Sequence, residues 1–198
     1  MSNAEVVVVP TGTANLASVR AALMRLGARP RLAEDAAMIE DAGHVVLPGV
    51  GSFGATMAGL REAGLDDALA ARVGAGRATL AMCVGLQVLF ETSDESPDAV
   101  GLGAIPGRVG RFPDVVRVPQ FGWNRVVPEP GCRFLEPGYA YFANSYRVLE
   151  APGCRVATAE HGGRFVAALE RDRVLACQFH PELSGAYGHE LIARWLKA

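Results

Sequence analysis

Cys83 sits in the segment Thr79-Leu80-Ala81-Met82-Cys83-Val84-Gly85-Leu86-Gln87, with a small residue two positions to either side. An apolar run leads into the cysteine and a helical pattern leads out of it. That is the layout of a nucleophile elbow, where a tight strand-to-helix turn lifts the reactive atom above the sheet edge. A larger side chain at 81 or 85 would collide within such a turn, and the N–H groups of a helix start favour a thiolate. A thiol nucleophile needs a base to take its proton, and the base needs an acceptor to orient it. His180 and Glu182, in Gln178-Phe179-His180-Pro181-Glu182, supply both within three residues, and Pro181 restricts the backbone between them. Gly49-Val50-Gly51 adds two glycines through which backbone N–H groups can face a developing negative charge, a candidate oxyanion hole. Taken singly, each piece has a plainer role: a buried core cysteine, a lone histidine, an ordinary βα turn. Phosphate cradling by the glycine loop fails for want of the Lys-Ser/Thr pair.

The elements that must position these residues are legible from periodicity. Residues 5–10 read as a buried strand, and 30–33, 44–48 and 78–82 as three further strands. Helical patterns lie between them: Leu16, Val19, Leu23 and Leu26 before a stop at Gly27, then Phe53, Met57 and Leu60. Strands alternating with helices imply crossover connections and a mostly parallel, doubly wound sheet. From 105 to 178 the character changes. Segments 108–112, 122–127, 139–143, 155–160, 165–169 and 174–178 are separated by turn residues and read as antiparallel strands extending the sheet. A helix carrying Leu191, Ile192, Trp195 and Leu196 on one face closes the chain. The expectation is one α/β domain over residues 1–198. Open α/β sheets hold ligands beyond the carboxyl ends of their strands, and Cys83 and His180 both follow a strand, so they can meet across the sheet.

Half the residues are hydrophobic and a fifth are charged, enough apolar surface for a sizeable core. Nineteen basic against twenty-one acidic residues offer no electrostatic case for nucleic acid or an anionic membrane. The apolar run 6–9 is too short for a signal or a span and follows no basic region, so a cytoplasmic location is expected. The four cysteines and four histidines form no zinc-type spacing, and neither metal nor cofactor is expected. Cys177 reads as core, Cys132 and Cys154 flank turns, and His44, His161 and His189 read as structural or exposed.

In this order, the elbow, the glycine loop and His-Pro-Glu resemble the class I (triad) glutamine amidotransferases. Four segments narrow the likeness: Pro48-Gly49-Val50-Gly51-Ser52-Phe53, Pro119-Gln120-Phe121-Gly122-Trp123-Asn124, Tyr141-Phe142-Ala143-Asn144-Ser145-Tyr146 and Gln178 to Gly185. Together they look like the glutaminase subunit of imidazole glycerol phosphate synthases, and the likeness runs nearly end to end. The resemblance implies that Cys83 attacks L-glutamine, with His180 as base and Glu182 as orienter. It implies that backbone at Val50, Gly51 and Val84 polarises the amide, and that Gln87, Ser145 and Tyr146 hold the amino-acid end. Asn15, Trp123 and Asn124 would lie at or near a face meeting a (β/α)8 cyclase subunit, which would take the ammonia into imidazole glycerol phosphate. Ala81, Asn144 and Leu183 depart from the family's commoner glycine, histidine and basic residue, and 10–15 differs from its commoner N-terminal segment. Two alternatives share the triad: a class I glutaminase serving another synthase, or a stand-alone γ-glutamyl hydrolase. A third is a catalytically silent scaffold relative.

Overall fold

The computed structural model describes residues 4–11 and 16–198. The first half alternates strand and helix: β1 Glu5–Val8, α1 Leu16–Arg25, β2 Arg29–Leu32, α2 Ala36–Asp41, β3 His44–Leu47, α3 Phe53–Glu62, α4 Asp66–Gly74, β4 Thr79–Met82 and α5 Val84–Gln87. The second half is richer in strands: β5 Thr92–Ser93, β6 Arg108–Arg111, β7 Gln120–Pro128, β8 Gly138–Asn144, β9 Tyr146–Arg147, β10 Arg155–Glu160, β11 Arg164–Arg171 and β12 Val174–Cys177. A 3₁₀ turn, Pro181–Leu183, and α6, Gly185–Trp195, complete the chain.

Nine strands form one sheet in the order β2-β1-β3-β4-β12-β11-β10-β7-β8. From β2 to β12 all neighbours are parallel; from β12 to β8 all are antiparallel. Successive side chains on a strand face opposite sides, and here both sides are apolar. Val6, Val8, Val46, Leu80, Met82, Leu175 and Cys177 pack with Val19 and Leu23 of α1 and Leu191 and Trp195 of α6. Their neighbours Val7, Val45, Leu47, Ala81, Val174 and Ala176 pack on the other face with Ile39 of α2, Phe53 and Met57 of α3, and Leu69 and Val73 of α4. The parity of each short strand thus sorts it between two cores, which is the doubly wound arrangement expected.

The antiparallel half curls back on the parallel half. Tyr141, on the edge strand β8, accepts a bond at its carbonyl from His180 N at 2.9 Å. Its own N–H donates to Ser184 Oγ at 3.0 Å. The polar rim of the edge strand β8 is therefore closed by the turn that follows the central strand β12.

Three local expectations needed correction. The segment 108–112 does not extend the main sheet; β6 joins β5 and β9 in a separate three-stranded sheet. Alternation alone does not say which sheet a strand enters. Helices α2 and α4 were not anticipated. Asp35 caps α2 by accepting from Met38 N at 2.8 Å, a short helix whose buried face is Ile39 alone. In α4, acidic Asp66 and Asp67 open the first turn and Leu69 and Val73 lie one turn apart, a signal that was present in the sequence. The helical stretch after Cys83 is only the single turn Val84–Gln87.

Candidate active site

β4 and β12 are adjacent and parallel, with Met82 opposite Cys177. Their carboxyl ends therefore deliver Cys83 and the Gln178–Glu182 segment to one place. Cys83 has φ +53° and ψ −111°, a strained conformation for a residue with a Cβ. Strain of this kind costs on the order of 1–3 kcal/mol and persists where its surroundings over-determine it. Here the Cys83 N–H is fastened to the Cys177 carbonyl at 2.7 Å, and the Cys83 carbonyl accepts from Leu86 N and Gln87 N. The turn is thus pinned from both sides, and the side chain is 5 % exposed.

His180 lies within hydrogen-bonding reach of the Cys83 thiol. On its other side, His180 Nδ1 meets Glu182 Oε1 at 2.8 Å. Burial alone would lower the imidazole pKa, but the hydrogen bonds to Cys83 and Glu182, with the charges behind them, raise it well above its ordinary 6.5. Glu182 has a nearly buried side chain. The expected nucleophile, base and orienter are therefore brought together.

The glycine loop packs backbone to backbone against the elbow. A Cβ on Gly85 would strike the Leu47 carbonyl oxygen, and a Cβ on Gly49 would strike Gly85 N and lie 2.9 Å from Val84 C and Cβ. Val50 is exposed, and Gly51 holds φ +114°, a region that L side chains rarely enter. Gly49 thus lies directly against Val84 and Gly85, the residues that follow Cys83. The far end of the loop is clamped at the start of α3. Phe53 N donates to Glu95 Oε2 at 2.7 Å, and Gly54 N donates to Ser96 Oγ at 3.1 Å. Glu95 and Ser96 escaped the sequence reading because no local pattern ties them to a helix forty residues earlier.

Ser145 links β8 to β9, and Tyr146 opens β9. The Ser145 carbonyl accepts from Phe112 N at 3.1 Å. The Tyr146 carbonyl accepts from Asn144 Nδ2 at 2.9 Å and from Gln87 Nε2 at 3.3 Å. Gln87 is buried, and its amide faces the protein interior, where it also donates to Gln178 Oε1 at 3.0 Å. Gln178 was the other residue passed over. Its signal was parity, since Gln178 and His180 share a strand face while Cys177 and Phe179 take the opposite one.

Of the expected interface residues, Asn15 lies outside the described residues. Trp123 is 58 % exposed, beside exposed Phe121 on β7, exposed Tyr139 on β8, and Tyr141, whose ring meets it edge-on at 6.3 Å. Asn124 points to the opposite face of β7, and its Nδ2 donates to the Glu160 carbonyl at 2.9 Å. The two neighbours therefore do not present one surface. Leu183 is 44 % exposed beside the catalytic turn. Among the described residues there is no cluster of three or more His, Cys, Asp or Glu that could hold a metal ion, and no helix is long and apolar enough to cross a membrane.

A thiol on a strained strand–turn–helix elbow, a buried imidazole–carboxylate pair and a glycine loop define a nucleophilic amidase site on a doubly wound sheet. The chain belongs to the class I glutamine amidotransferases: residues 7–198 match the family Glutamine amidotransferase class-I. Within that family it is similar to the imidazole glycerol phosphate synthase subunit HisH of several organisms. That of Symbiobacterium thermophilum is 39% identical over 197 residues, covering 97% of this chain and 93% of the relative. That of Xylella fastidiosa (strain Temecula1) is 41% identical over 199 residues, covering 98% and 97%. Among solved structures, a glutamine amidotransferase shares the fold with a TM-score of 0.77 at 23% identity, over 96% of this chain and 97% of the other. PurLQS from Thermotoga maritima does so with a TM-score of 0.77 at 17% identity, over 99% of each.

Proposed function

We propose that this chain is the glutaminase subunit of an imidazole glycerol phosphate synthase, releasing ammonia from L-glutamine for a (β/α)8 cyclase partner in histidine biosynthesis. The observation that carries the chemistry is the chain of contacts from Cys83 through His180 to Glu182, set on a strained elbow. The near full-length similarity to HisH subunits supports the choice of synthase.

In this reading the Cys83 thiolate attacks the side-chain amide carbon of glutamine, forming a C–S bond and pushing the C=O electrons onto oxygen. N–H groups of the Gly49–Gly51 loop and of Val84 hold that oxyanion. Its collapse breaks the C–N bond while His180 gives its proton to the leaving nitrogen, so ammonia departs and a thioester remains. Water then adds to the thioester as His180 takes a proton from it. Glutamate leaves, and the proton returns to sulfur. Glu182 accepts from His180 Nδ1 throughout, fixing the tautomer that presents Nε2 to sulfur. No cofactor is required by these steps.

Ser145 and Tyr146 would hold the amino-acid end of glutamine through backbone groups. Gln87 would act beneath them, since its Nε2 is committed to Tyr146 and Gln178. The exposed Phe121, Trp123, Tyr139 and Leu183 suit an aromatic, apolar docking face for the cyclase. A mixture of the chain with its cyclase should hydrolyse glutamine much faster than the chain alone. Equal rates with and without the cyclase and its ligand would point instead to a stand-alone hydrolase.

A further inference from the structure

We infer that Gln178 is a further catalytic residue, whose side-chain N–H donates to the Cys83 sulfur and stabilises the thiolate, its direction set by an amide relay from the Tyr146 carbonyl through Gln87. The inference rests on the glutaminase reading of Cys83 and adds a donor opposite His180.

The contacts form an unbroken line. Tyr146 O accepts from Gln87 Nε2 at 3.3 Å, Gln178 Oε1 accepts from the same nitrogen at 3.0 Å, and Gln178 Nε2 lies 3.8 Å from Cys83 Sγ. An amide oxygen and nitrogen are easily interchanged in a structure, but here chemistry orients both groups. A backbone carbonyl only accepts, so Gln87 must turn its NH₂ toward Tyr146. That same NH₂ faces Gln178, which must answer with its oxygen. The Gln178 NH₂ is then left facing sulfur. Reversing either amide would set donor against donor or acceptor against acceptor in the interior, at 0 % exposure for Gln178 and 3 % for Gln87. An unmet buried polar group costs on the order of 1–3 kcal/mol, so the direction of the relay is well determined.

A neutral N–H aimed at sulfur favours the anion over the thiol, because hydrogen bonds to charged acceptors are roughly twice as strong as those to neutral ones. Hydrocarbon at the same position would offer no donor. The relay also begins on the Ser145–Tyr146 link, so movement of that backbone changes how firmly the Gln178 donor is held. Asn144 takes part as well, since its Nδ2 donates to the same Tyr146 carbonyl at 2.9 Å.

The test is the pH profile of Cys83 alkylation by iodoacetamide in the complex with cyclase, followed on the Cys83 peptide by mass spectrometry so that Cys132 and Cys154 do not interfere. Gln178→Met keeps the volume and removes the donor. It should move the half-maximal pH of alkylation up by about one unit, about tenfold slower at pH 6, and lower glutaminase kcat by a similar factor while KM changes little. Gln178→Glu, which places a carboxylate against sulfur, should shift the profile further. Gln87→Leu removes the lock and should shift it in the same direction by less, and it carries the test if Gln178→Met fails to fold. A residue that served only packing would lower thermal stability without moving the profile. Profiles of folded Gln178→Met or Gln87→Leu that overlay the wild type overturn the inference. Alkylation needs no glutamine, so that result would leave the glutaminase reading intact; glutamine hydrolysis surviving in Cys83→Ala would overturn the latter instead.

Discussion

Replacing Gly85 by alanine opposes two effects of known sign. Gly85 lies inside the turn α5 and has no positive φ, so an L side chain suits its backbone. Helix propensity alone predicts that Gly85→Ala stabilises the chain by about 1 kcal/mol. The new methyl, however, would lie well inside 3.0 Å of the Leu47 carbonyl oxygen, closer than real Cβ atoms come, and 3.2 Å from the carbonyl carbon. Leu47 ends β3, paired to both β1 and β4, so the obstacle is backbone that cannot rotate aside. The elbow or the glycine loop must move by about 1 Å. Overpacking of this kind costs about 3 kcal/mol at its upper end, leaving a net loss of about 2 kcal/mol. For a chain of this size the melting temperature should fall by about 4–8 °C. Displacing Cys83 from the proposed oxyanion donors by about 1 Å should slow glutamine hydrolysis about 100-fold. The assay pairs a thermal melt with glutaminase rates in the cyclase complex, and ammonia-driven synthesis serves as the control that should survive. A melting temperature equal to or above that of the wild type with full glutaminase activity would refute the backbone-to-backbone packing of loop and elbow.

Two further perturbations probe the triad and its floor. The His180 pKa is raised in the folded chain, so its contribution to stability is complete below pH 6.5 and is lost as pH rises through the folded value. Glu182→Gln removes one cause of that rise, so it should destabilise most below pH 6.5, by about 2 kcal/mol, with the two stability curves converging in alkali; parallel curves in denaturant titrations across pH would contradict it. Cys177 is fully buried beneath the elbow, and burial pushes its thiol pKa well up. Cys177→Ala should therefore cost about 1 kcal/mol in a urea melt while leaving glutaminase kcat near wild type; a selective loss of catalysis at unchanged stability would mean that this thiol takes part in the chemistry.

Much of the fold was written in local pattern. The apolar runs at Val6–Val9 and His44–Leu47 announce strands buried on both faces, and Gly27 marks the end of α1 with φ +78°. The meeting of Cys83 and His180 was legible for a topological reason: two strands of one parallel sheet end on the same side, whatever their separation in sequence. What stayed hidden depends on long-range closure. No periodicity says that the edge strand β8 returns to cap the turn after β12 through Tyr141, or that β6 leaves the main sheet. The extent of α5 was also hidden, because the apolar residues after Gln87 suit a longer helix equally well. Gln87 shows the limit most clearly. Its expected place facing the substrate came from resemblance, whereas its buried partners, Gln178 and the Tyr146 carbonyl, come from strands far along the chain.

On the proposed function, nitrogen passes from glutamine, through chemistry at Cys83, to the cyclase product. This transfer is tested most directly with glutamine labelled with ¹⁵N at the side-chain amide, given to the reconstituted complex in excess unlabelled ammonium. The wild-type chain should give imidazole glycerol phosphate carrying ¹⁵N, and Cys83→Ala only unlabelled product. Unlabelled product from the wild type, or labelled product from Cys83→Ala, would contradict it.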